Sequence, residues 1–118
     1  MATVMVVDDA TFMRMKCVAL LTGNGHEVVE AGSGQQAVEA YKAKRPDCVL
    51  LDITMPGMDG LSALREIRKI DPSARVAMVT ALDQQGITME AMKEGACSFV
   101  YKPFNADRLL AAVEELVG

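Results

Sequence analysis

The sequence predicts an α/β protein built on a doubly wound parallel sheet of five strands. Five short apolar runs alternate with five segments of helical periodicity over 118 residues, an alternation that is typical of βαβ units. The runs are apolar along most of their length, as expected for a parallel sheet with helices on both faces. Right-handed crossovers between the strands then give the doubly wound arrangement.

The first strand and helix are indicated by residues 3–7 and by the segment after them. The strand is rich in β-branched residues and ends on two carboxylates, Asp8 and Asp9. Apolar residues then recur at the spacing of one helical face: Met13, Cys17, Leu20 and Leu21. A glycine-rich cluster at residues 23–25 ends this helix.

Residues 26–31 predict a second, shorter strand, and the turn after it leads into a second helix. Ser33 is a candidate N-cap for this helix, which extends to about residue 45 before Pro46 ends it. Its inward face consists of Ala37, Val38 and Tyr41. The single histidine, His26, is expected at a solvated edge without a chemical role, because no second histidine exists to share a metal with it.

The third strand, residues 49–51, carries the most informative residue, since it ends on Asp52. Pro56, Gly57 and Gly60 follow and favour a loop at this end of the strand. A carboxylate at the end of an apolar strand is costly unless a cation or hydrogen-bond donors satisfy it. Asp52 is therefore a candidate functional residue.

The next helix and strand end on polar residues too. The third helix, which Asp71-Pro72 ends, has four apolar positions: Leu61, Leu64, Ile67 and Ile70. The fourth strand, residues 75–80, ends on the hydroxyl of Thr80. A fourth helix is predicted over residues 88–94, with Ala91 and Met92 facing inward.

The fifth strand, residues 97–101, runs into Lys102-Pro103. Asn105 is placed to cap the last helix. The apolar stripe of that helix consists of Leu109, Leu110, Val113, Leu116 and Val117.

Composition indicates one domain, residues 1–118, and limits its partners. The net charge is −4 and no basic run exceeds two residues, so we expect no direct contact with nucleic acid. No window of about 18 residues lacks charge and the chain has no signal-peptide pattern at its start, so we expect a cytoplasmic protein without a membrane span. The three cysteines lack metal-site spacing and are expected to be buried apolar residues: Cys17, Cys48 and Cys97.

The polar residues that end these strands should meet in one place. In a doubly wound sheet, the reactive crevice lies beyond the carboxyl ends of the strands, where the strand order reverses. The predicted crevice residues are Asp8, Asp9, Asp52, Thr80 and Lys102. Each could be explained singly, as a helix cap, a strand residue or a solvated charge. Five polar residues at the same end of four apolar strands are harder to explain in that way.

Three converging carboxylates would repel one another unless a cation lies among them. Hard oxygen ligands select Mg²⁺, with Mn²⁺ as an alternative. A carboxylate beside such a cation can attack phosphorus and form an aspartyl phosphate. Lys102 and the Thr80 hydroxyl could then hold the remaining phosphoryl oxygens.

Four stretches resemble, in order and spacing, the signatures of the receiver domain of two-component response regulators. They are Val6-Val7-Asp8-Asp9, residues 52–60, Val79-Thr80-Ala81 and Lys102-Pro103-Phe104. The resemblance covers residues 4–117. It implies a flavodoxin-like, CheY-like sheet with the strand order 2-1-3-4-5.

The resemblance also implies a role for each crevice residue. Asp52 would accept a phosphoryl group from a sensor histidine kinase or a phosphotransfer protein. Mg²⁺ would be held by Asp8, Asp9, Asp52 and the backbone carbonyl of Thr54. The phosphoryl group would contact Thr80, Ala81 and Lys102, and the Lys102-Pro103 peptide bond would be cis. Thr80 and Phe99 would be the switch residues.

Switching would alter a face made of helix 4, strand 5 and helix 5, which a downstream target protein or a second, phosphorylation-dependent copy would contact.

Two residues depart from the commonest pattern. Phe99 stands where the family often has tyrosine, so switching must depend on ring packing. Leu82 and Thr54 flank the path of an attacking water, and Leu82 offers no polar group, which predicts slow self-dephosphorylation.

Other functions are less consistent with these residues. A phosphatase of the haloacid dehalogenase type needs an acid two residues after the nucleophile, where this chain has Thr54. A flavodoxin-like electron carrier would place a flavin phosphate against Asp8 and Asp9, which would repel it. We therefore expect a signalling phosphoacceptor, not an enzyme.

Residues 8–14 resemble stand-alone chemotaxis-type receivers. The alternative is a receiver cut from a longer regulator with a DNA-binding or enzymatic output domain.

Overall fold

In the part of the chain that the structure describes, five strands alternate with five helices. The structure is a computed structural model that describes residues 1–53, 55, 57–81 and 85–118. In chain order the elements are β1 (Thr3–Val7), α1 (Thr11–Gly23), β2 (Glu27–Ala31), α2 (Gly34–Lys44), β3 (Cys48–Asp52), α3 (Gly60–Ile70), β4 (Val76–Ala81), α4 (Gln85–Lys93), β5 (Ser98–Lys102) and α5 (Ala106–Val117). The predicted alternation is confirmed.

The five strands form one parallel sheet in the order β2-β1-β3-β4-β5. The chain winds from β1 outward to β2 and then returns to place β3 on the other side of β1, so the order reverses between β1 and β3. Both the doubly wound architecture and the strand order are as predicted. The carboxyl ends of these two central strands carry Asp8 and Asp52, one on each side of the reversal.

Alternate strand residues face two separate cores, because successive side chains of a strand point to opposite sides. One core takes Met5 and Leu51 from the strands and packs against α2, α3 and α4. The other takes Val6 and Leu50 and packs against α1 and α5. Residues 48–52 of β3 are all buried, as expected for the central strand of a sheet covered on both faces.

Side-chain caps fix where three helices begin. The Ser33 Oγ accepts a hydrogen bond from the Gln36 amide at 3.1 Å, and the Asn105 Oδ1 accepts one from the Arg108 amide at 2.8 Å, which confirms both predicted caps. Asp59, to which sequence reasoning gave no such role, caps α3 by accepting a hydrogen bond from the Ser62 amide at 2.8 Å.

The structure corrects two predictions about burial and one boundary. Helix α4 begins at Gln85, three residues before the predicted start at residue 88. Met92, predicted to face inward with Ala91, is 62% exposed, because neighbouring helical residues differ by about 100° in direction and Ala91 takes the buried position. Cys97 is exposed, since it precedes β5 at the edge of the sheet; Cys17 and Cys48 are buried as predicted.

His26 lies at the amino-terminal edge of the sheet and is half-buried. Its Nδ1 accepts a hydrogen bond from the Ala2 amide at 3.1 Å, so it helps to hold the start of the chain.

None of the helices in the described ranges is long and apolar enough to span a bilayer.

Candidate functional site

The predicted polar residues lie at one edge of the sheet, at the carboxyl ends of four strands. Asp8 and Asp9 follow β1, and Asp52 is the last residue of β3. Thr80 is the next-to-last residue of β4, and Lys102 is the last residue of β5. The parallel register explains their proximity, because all strands run in one direction and end on the same side.

The three aspartates form a cluster of hard oxygen donors. Asp8, Asp9 and Asp52 each offer a carboxylate oxygen, and these oxygens lie within 4.8 Å of one another. Asp8 and Asp52 are both 5% exposed, whereas Asp9 is open to solvent. Carboxylate oxygens are the ligands that Mg²⁺ and Mn²⁺ prefer, and both ions keep water or substrate oxygens on an open side. The donor set and its one exposed member therefore fit a divalent cation.

Lys102 supplies positive charge to the same cluster. Its Nζ lies 3.7 Å from Asp8 Oδ2 and 3.6 Å from Asp52 Oδ1. The ammonium offsets the repulsion between two buried carboxylates, and with its side chain 31% exposed it can still reach a ligand that enters the crevice. The Lys102-Pro103 peptide bond is cis, as the resemblance implies.

The end of β4 lies between the ends of β3 and β5, which carry Asp52 and Lys102. Thr80 is buried, with its Oγ1 directed at the Ala81 carbonyl oxygen 3.3 Å away. Ala81 pairs with Lys102 in the β4-β5 register, and Thr80 pairs with Tyr101. Phe99 lies two pairs further back on β5, where it pairs with Met78, and it packs partly buried against the core that contains α4.

Two residues of the predicted site cannot be placed. Thr54, whose backbone carbonyl was predicted to bind the metal, and Leu82, predicted to affect dephosphorylation, lie outside the described residues. Both remain predictions from sequence.

Sequence reasoning gave no role to Arg14, which the structure places against the acidic cluster. Its Nη1 donates a hydrogen bond to the Asp8 carbonyl oxygen at 2.6 Å, and its Nε pairs with Glu30 Oε1 at 3.1 Å. The signal in the sequence is weak: a long cationic side chain in the first turns of the helix that follows the aspartates.

The negative charge of Asp8 also affects the pKa of Cys17 in α1. Burial raises the pKa of the Cys17 thiol, and the negative charge of Asp8 raises it further. Burial also raises the pKa of Cys48, to about 12. Both thiols therefore stay protonated at neutral pH, which agrees with their predicted role as small core residues.

A sequence model of the response regulator receiver domain matches residues 4–114. The chain therefore belongs to the response regulator receiver domain family. Receiver domains of this family bind Mg²⁺ at an acidic pocket and interact with histidine kinases and output partners, and the three aspartates here form a cluster that could hold the metal.

The relatives show which members of the family the chain is similar to. It is 51% identical to the chemotaxis protein CheY of Bacillus subtilis over 116 residues, which are 98% of this chain and 97% of that protein. The crystal structure of the chemotaxis protein CheY4 of Vibrio cholerae matches with a TM-score of 0.93 and 28% identity, and covers 98% of each chain. The chain is a receiver domain of the CheY type.

A longer relative carries the same kind of domain. The protein-glutamate methylesterase/protein-glutamine glutaminase of Archaeoglobus fulgidus is 45% identical over 118 residues, which are 97% of this chain and 34% of that protein. Domains similar to this one thus occur both at its own size and within larger proteins.

Proposed function

We propose that the protein accepts a phosphoryl group on Asp52 from a phosphohistidine of a sensor kinase or phosphotransfer protein. The observation that carries this proposal is the position of the Asp52 carboxylate. It is a buried acid at the end of the central strand, within reach of Lys102 and in the acidic cluster with Asp8 and Asp9.

The reaction follows from that position. A carboxylate oxygen of Asp52 attacks phosphorus, a P–O bond forms, and the P–N bond to the donor imidazole breaks. The imidazole leaves with the electron pair and takes up a proton. Lys102 is close enough to turn from the carboxylates to a phosphoryl oxygen, and Thr80 and the backbone of Ala81 border the same space.

A divalent cation belongs to this proposal. Mg²⁺, with Mn²⁺ as a substitute, would be held by Asp8, Asp9, Asp52 and the backbone carbonyl of Thr54. It would supply positive charge that balances the carboxylates and the incoming phosphoryl oxygens. The protein's own part is to keep two buried carboxylates at a fixed separation and one exposed carboxylate beside them.

The phosphorylated site would be sensed through Thr80 and Phe99. Phosphorylation adds nearly two negative charges at the end of β3, next to Thr80 of the neighbouring strand. Movement of Thr80 toward the new charge would change the packing of Phe99, which contacts the core under α4. The face formed by α4, β5 and α5 would then bind a downstream target protein or a second phosphorylated copy.

We further propose a stand-alone, chemotaxis-type regulator that acts in the cytoplasm, supported by the similarity to CheY along nearly the whole of both chains. The alternative is a receiver within a longer regulator, and the longer Archaeoglobus relative supports this alternative. Self-dephosphorylation is proposed to be slow because Leu82 has no polar group. A Leu82→Glu variant that loses its phosphoryl group no faster than the wild type would contradict that idea.

Intact-mass spectrometry after incubation with acetyl phosphate tests the proposal. The wild type should gain one phosphoryl group with Mg²⁺ present and none with a chelator. Asp52→Ala should gain none, whereas Asp107→Ala, which removes an exposed carboxylate from α5, should be labelled like the wild type. Equal labelling of Asp52→Ala and the wild type would refute the assignment.

A further inference from the structure

The loop between β1 and α1 holds the two aspartates that come first in the chain, and its conformation decides where Asp9 points. Asp8 is fixed by its side chain: Oδ1 accepts a hydrogen bond from the Ala10 amide at 2.9 Å, and Oδ2 lies near Lys102. Asp9 is different. Its side chain makes no hydrogen bond or ion pair with any residue in the described ranges. The direction of its carboxylate therefore depends on its backbone.

The first turn of α1 begins without a side-chain cap. Ala10 occupies the N-cap position of α1 and provides no side-chain hydrogen bond, unlike Ser33, Asp59 and Asn105, which cap α2, α3 and α5. Without such a cap the first turn of a helix frays more readily. The hydrogen bond from the Ala10 amide to Asp8 Oδ1 closes a turn across the peptide that joins Asp8 to Asp9, and a second contact to this peptide comes from α1.

Arg14 provides that contact. From within α1 its Nη1 reaches back to the Asp8 carbonyl oxygen at 2.6 Å, a short hydrogen bond from a charged donor. The peptide group is planar, so holding its oxygen also fixes the plane that contains the Asp9 Cα. The Nε of the same guanidinium pairs with Glu30 of β2 at 3.1 Å, which ties the peptide to the neighbouring strand. The Arg14 side chain is only 19% exposed.

The space around the guanidinium is also restricted. A β-carbon at Gly32 would lie 3.3 Å from Arg14 Nη1, so a larger residue there would crowd the contact. The glycine in the turn after β2 thus leaves room for the arginine.

We infer that Arg14 is a positioning residue for the divalent-cation site: its guanidinium orients the Asp8-Asp9 peptide so that Asp9 joins Asp8 and Asp52 around the ion. The inference rests on the proposed function, because it assumes that the cluster binds Mg²⁺. It assigns Arg14 no contact with the ion or with the phosphoryl group.

The direction in which Mg²⁺ affinity changes when Arg14 is replaced distinguishes a positioning role from a purely electrostatic one. Arg14 is a cation beside a cation site, so removing its charge should by Coulomb's law tighten Mg²⁺ binding. Loss of positioning should weaken it instead. Lysine keeps the charge but cannot make the two contacts of the guanidinium fork together. Arg14→Lys therefore tests the fork alone, and Arg14→Ala tests fork and charge together.

The experiment is isothermal titration of Mg²⁺ into the folded protein without any phosphodonor. We expect both Arg14→Ala and Arg14→Lys to raise the Mg²⁺ dissociation constant by about tenfold, the low end of what outer partners of metal ligands contribute. Arg75→Ala is the matched control. Arg75 also donates from Nη1 to a backbone carbonyl, that of Leu116 at 2.9 Å, but it precedes β4 at the opposite edge of the sheet. Its loss should leave the dissociation constant within about twofold of the wild type.

Urea unfolding of the same variants shows whether they are folded during the titration and how much stability each substitution costs. An Arg14→Ala variant that binds Mg²⁺ as tightly as the wild type or more tightly, with Arg14→Lys unchanged, would overturn the inference and leave the proposed function intact. A wild type that binds no Mg²⁺ would overturn both.

Discussion

Gly60 at the start of α3 gives a sharp test of how closely the loop after β3 is packed. A β-carbon at this position would collide with the carbonyl oxygen of Asp52 and lie 2.6 Å from the Cα of Ile53. Both partners are backbone atoms: one belongs to Asp52, the last residue of β3, and the other to the residue that follows it. Backbone atoms cannot relieve the contact by a change of rotamer, as a side chain could. The Gly60 amide also donates a hydrogen bond to the Ile53 carbonyl oxygen at 2.8 Å, so the approach is tied in place.

The cost of Gly60→Ala follows from these distances. Carbon atoms in contact prefer about 3.5–4.0 Å, so the loop and the strand end must separate by about 1 Å. Overpacking of this kind costs about 1–3 kcal/mol, and backbone partners favour the upper end. For a domain of this size, about 3 kcal/mol lowers the melting temperature by roughly 12 °C. The assay is thermal unfolding followed by circular dichroism.

Gly86 is the matched control, because it lies in the first turn of α4 and a β-carbon there would meet no atom of the described residues within 4 Å. Gly86→Ala should therefore be neutral or stabilise the protein by up to about 1 kcal/mol through helix propensity. Gly60→Ala should also slow labelling by acetyl phosphate, since the end of β3 is displaced. A Gly60→Ala variant that melts at or above the wild-type temperature would refute the packing argument.

Three further predictions concern single contacts. Tyr41→Phe removes a 2.7 Å hydrogen bond from the buried hydroxyl to Asp71 Oδ2 and should cost about 1 kcal/mol in urea unfolding. Burial and Asp71 raise the Tyr41 pKa from 10.0 to about 12, so its contribution is full below pH 10 and is lost as the pH rises through about 12; an equal alkaline loss in Tyr41→Phe would contradict this assignment. Asn105→Ala removes the α5 cap and should cost about 1 kcal/mol by the same measurement, and no loss would mean that the cap is dispensable. Lys102→Ala removes a cation that competes with Mg²⁺, so titration calorimetry should show about fivefold tighter Mg²⁺ binding; weaker binding would contradict the ion-pair geometry.

Much of the fold could be predicted because the strands of a parallel sheet are apolar on both faces. The apolar run at residues 49–51 predicts a buried strand, and every residue of the observed strand, Cys48–Asp52, is buried. Parallel strands also bring their carboxyl ends to one edge, which is why residues as distant in sequence as Asp8 and Lys102 could be predicted to meet. Caps at Ser33 and Asn105 were predictable from residue type, since their short side chains reach the first turn of a helix.

The rest depends on packing that local patterns do not contain. Met92 and Ala91 are both apolar, and only the position of α4 on the sheet decides that Ala91 is buried and Met92 exposed. Cys97 has apolar neighbours in sequence, but it precedes the edge strand and meets solvent. The contact from Arg14 to the Asp8 carbonyl could not be predicted, because a long side chain has many rotamers and the choice is made by Glu30 on another strand.

Chemical mapping of the phosphorylated residue shows directly whether Asp52 is the phosphoacceptor. Borohydride reduces an aspartyl phosphate to homoserine, which marks the acceptor permanently, and peptide sequencing by mass spectrometry then locates it. After labelling with acetyl phosphate and Mg²⁺, we expect homoserine at position 52, in the peptide that contains the end of β3. Homoserine at position 8 or 9, or none under conditions that label another receiver domain, would contradict it.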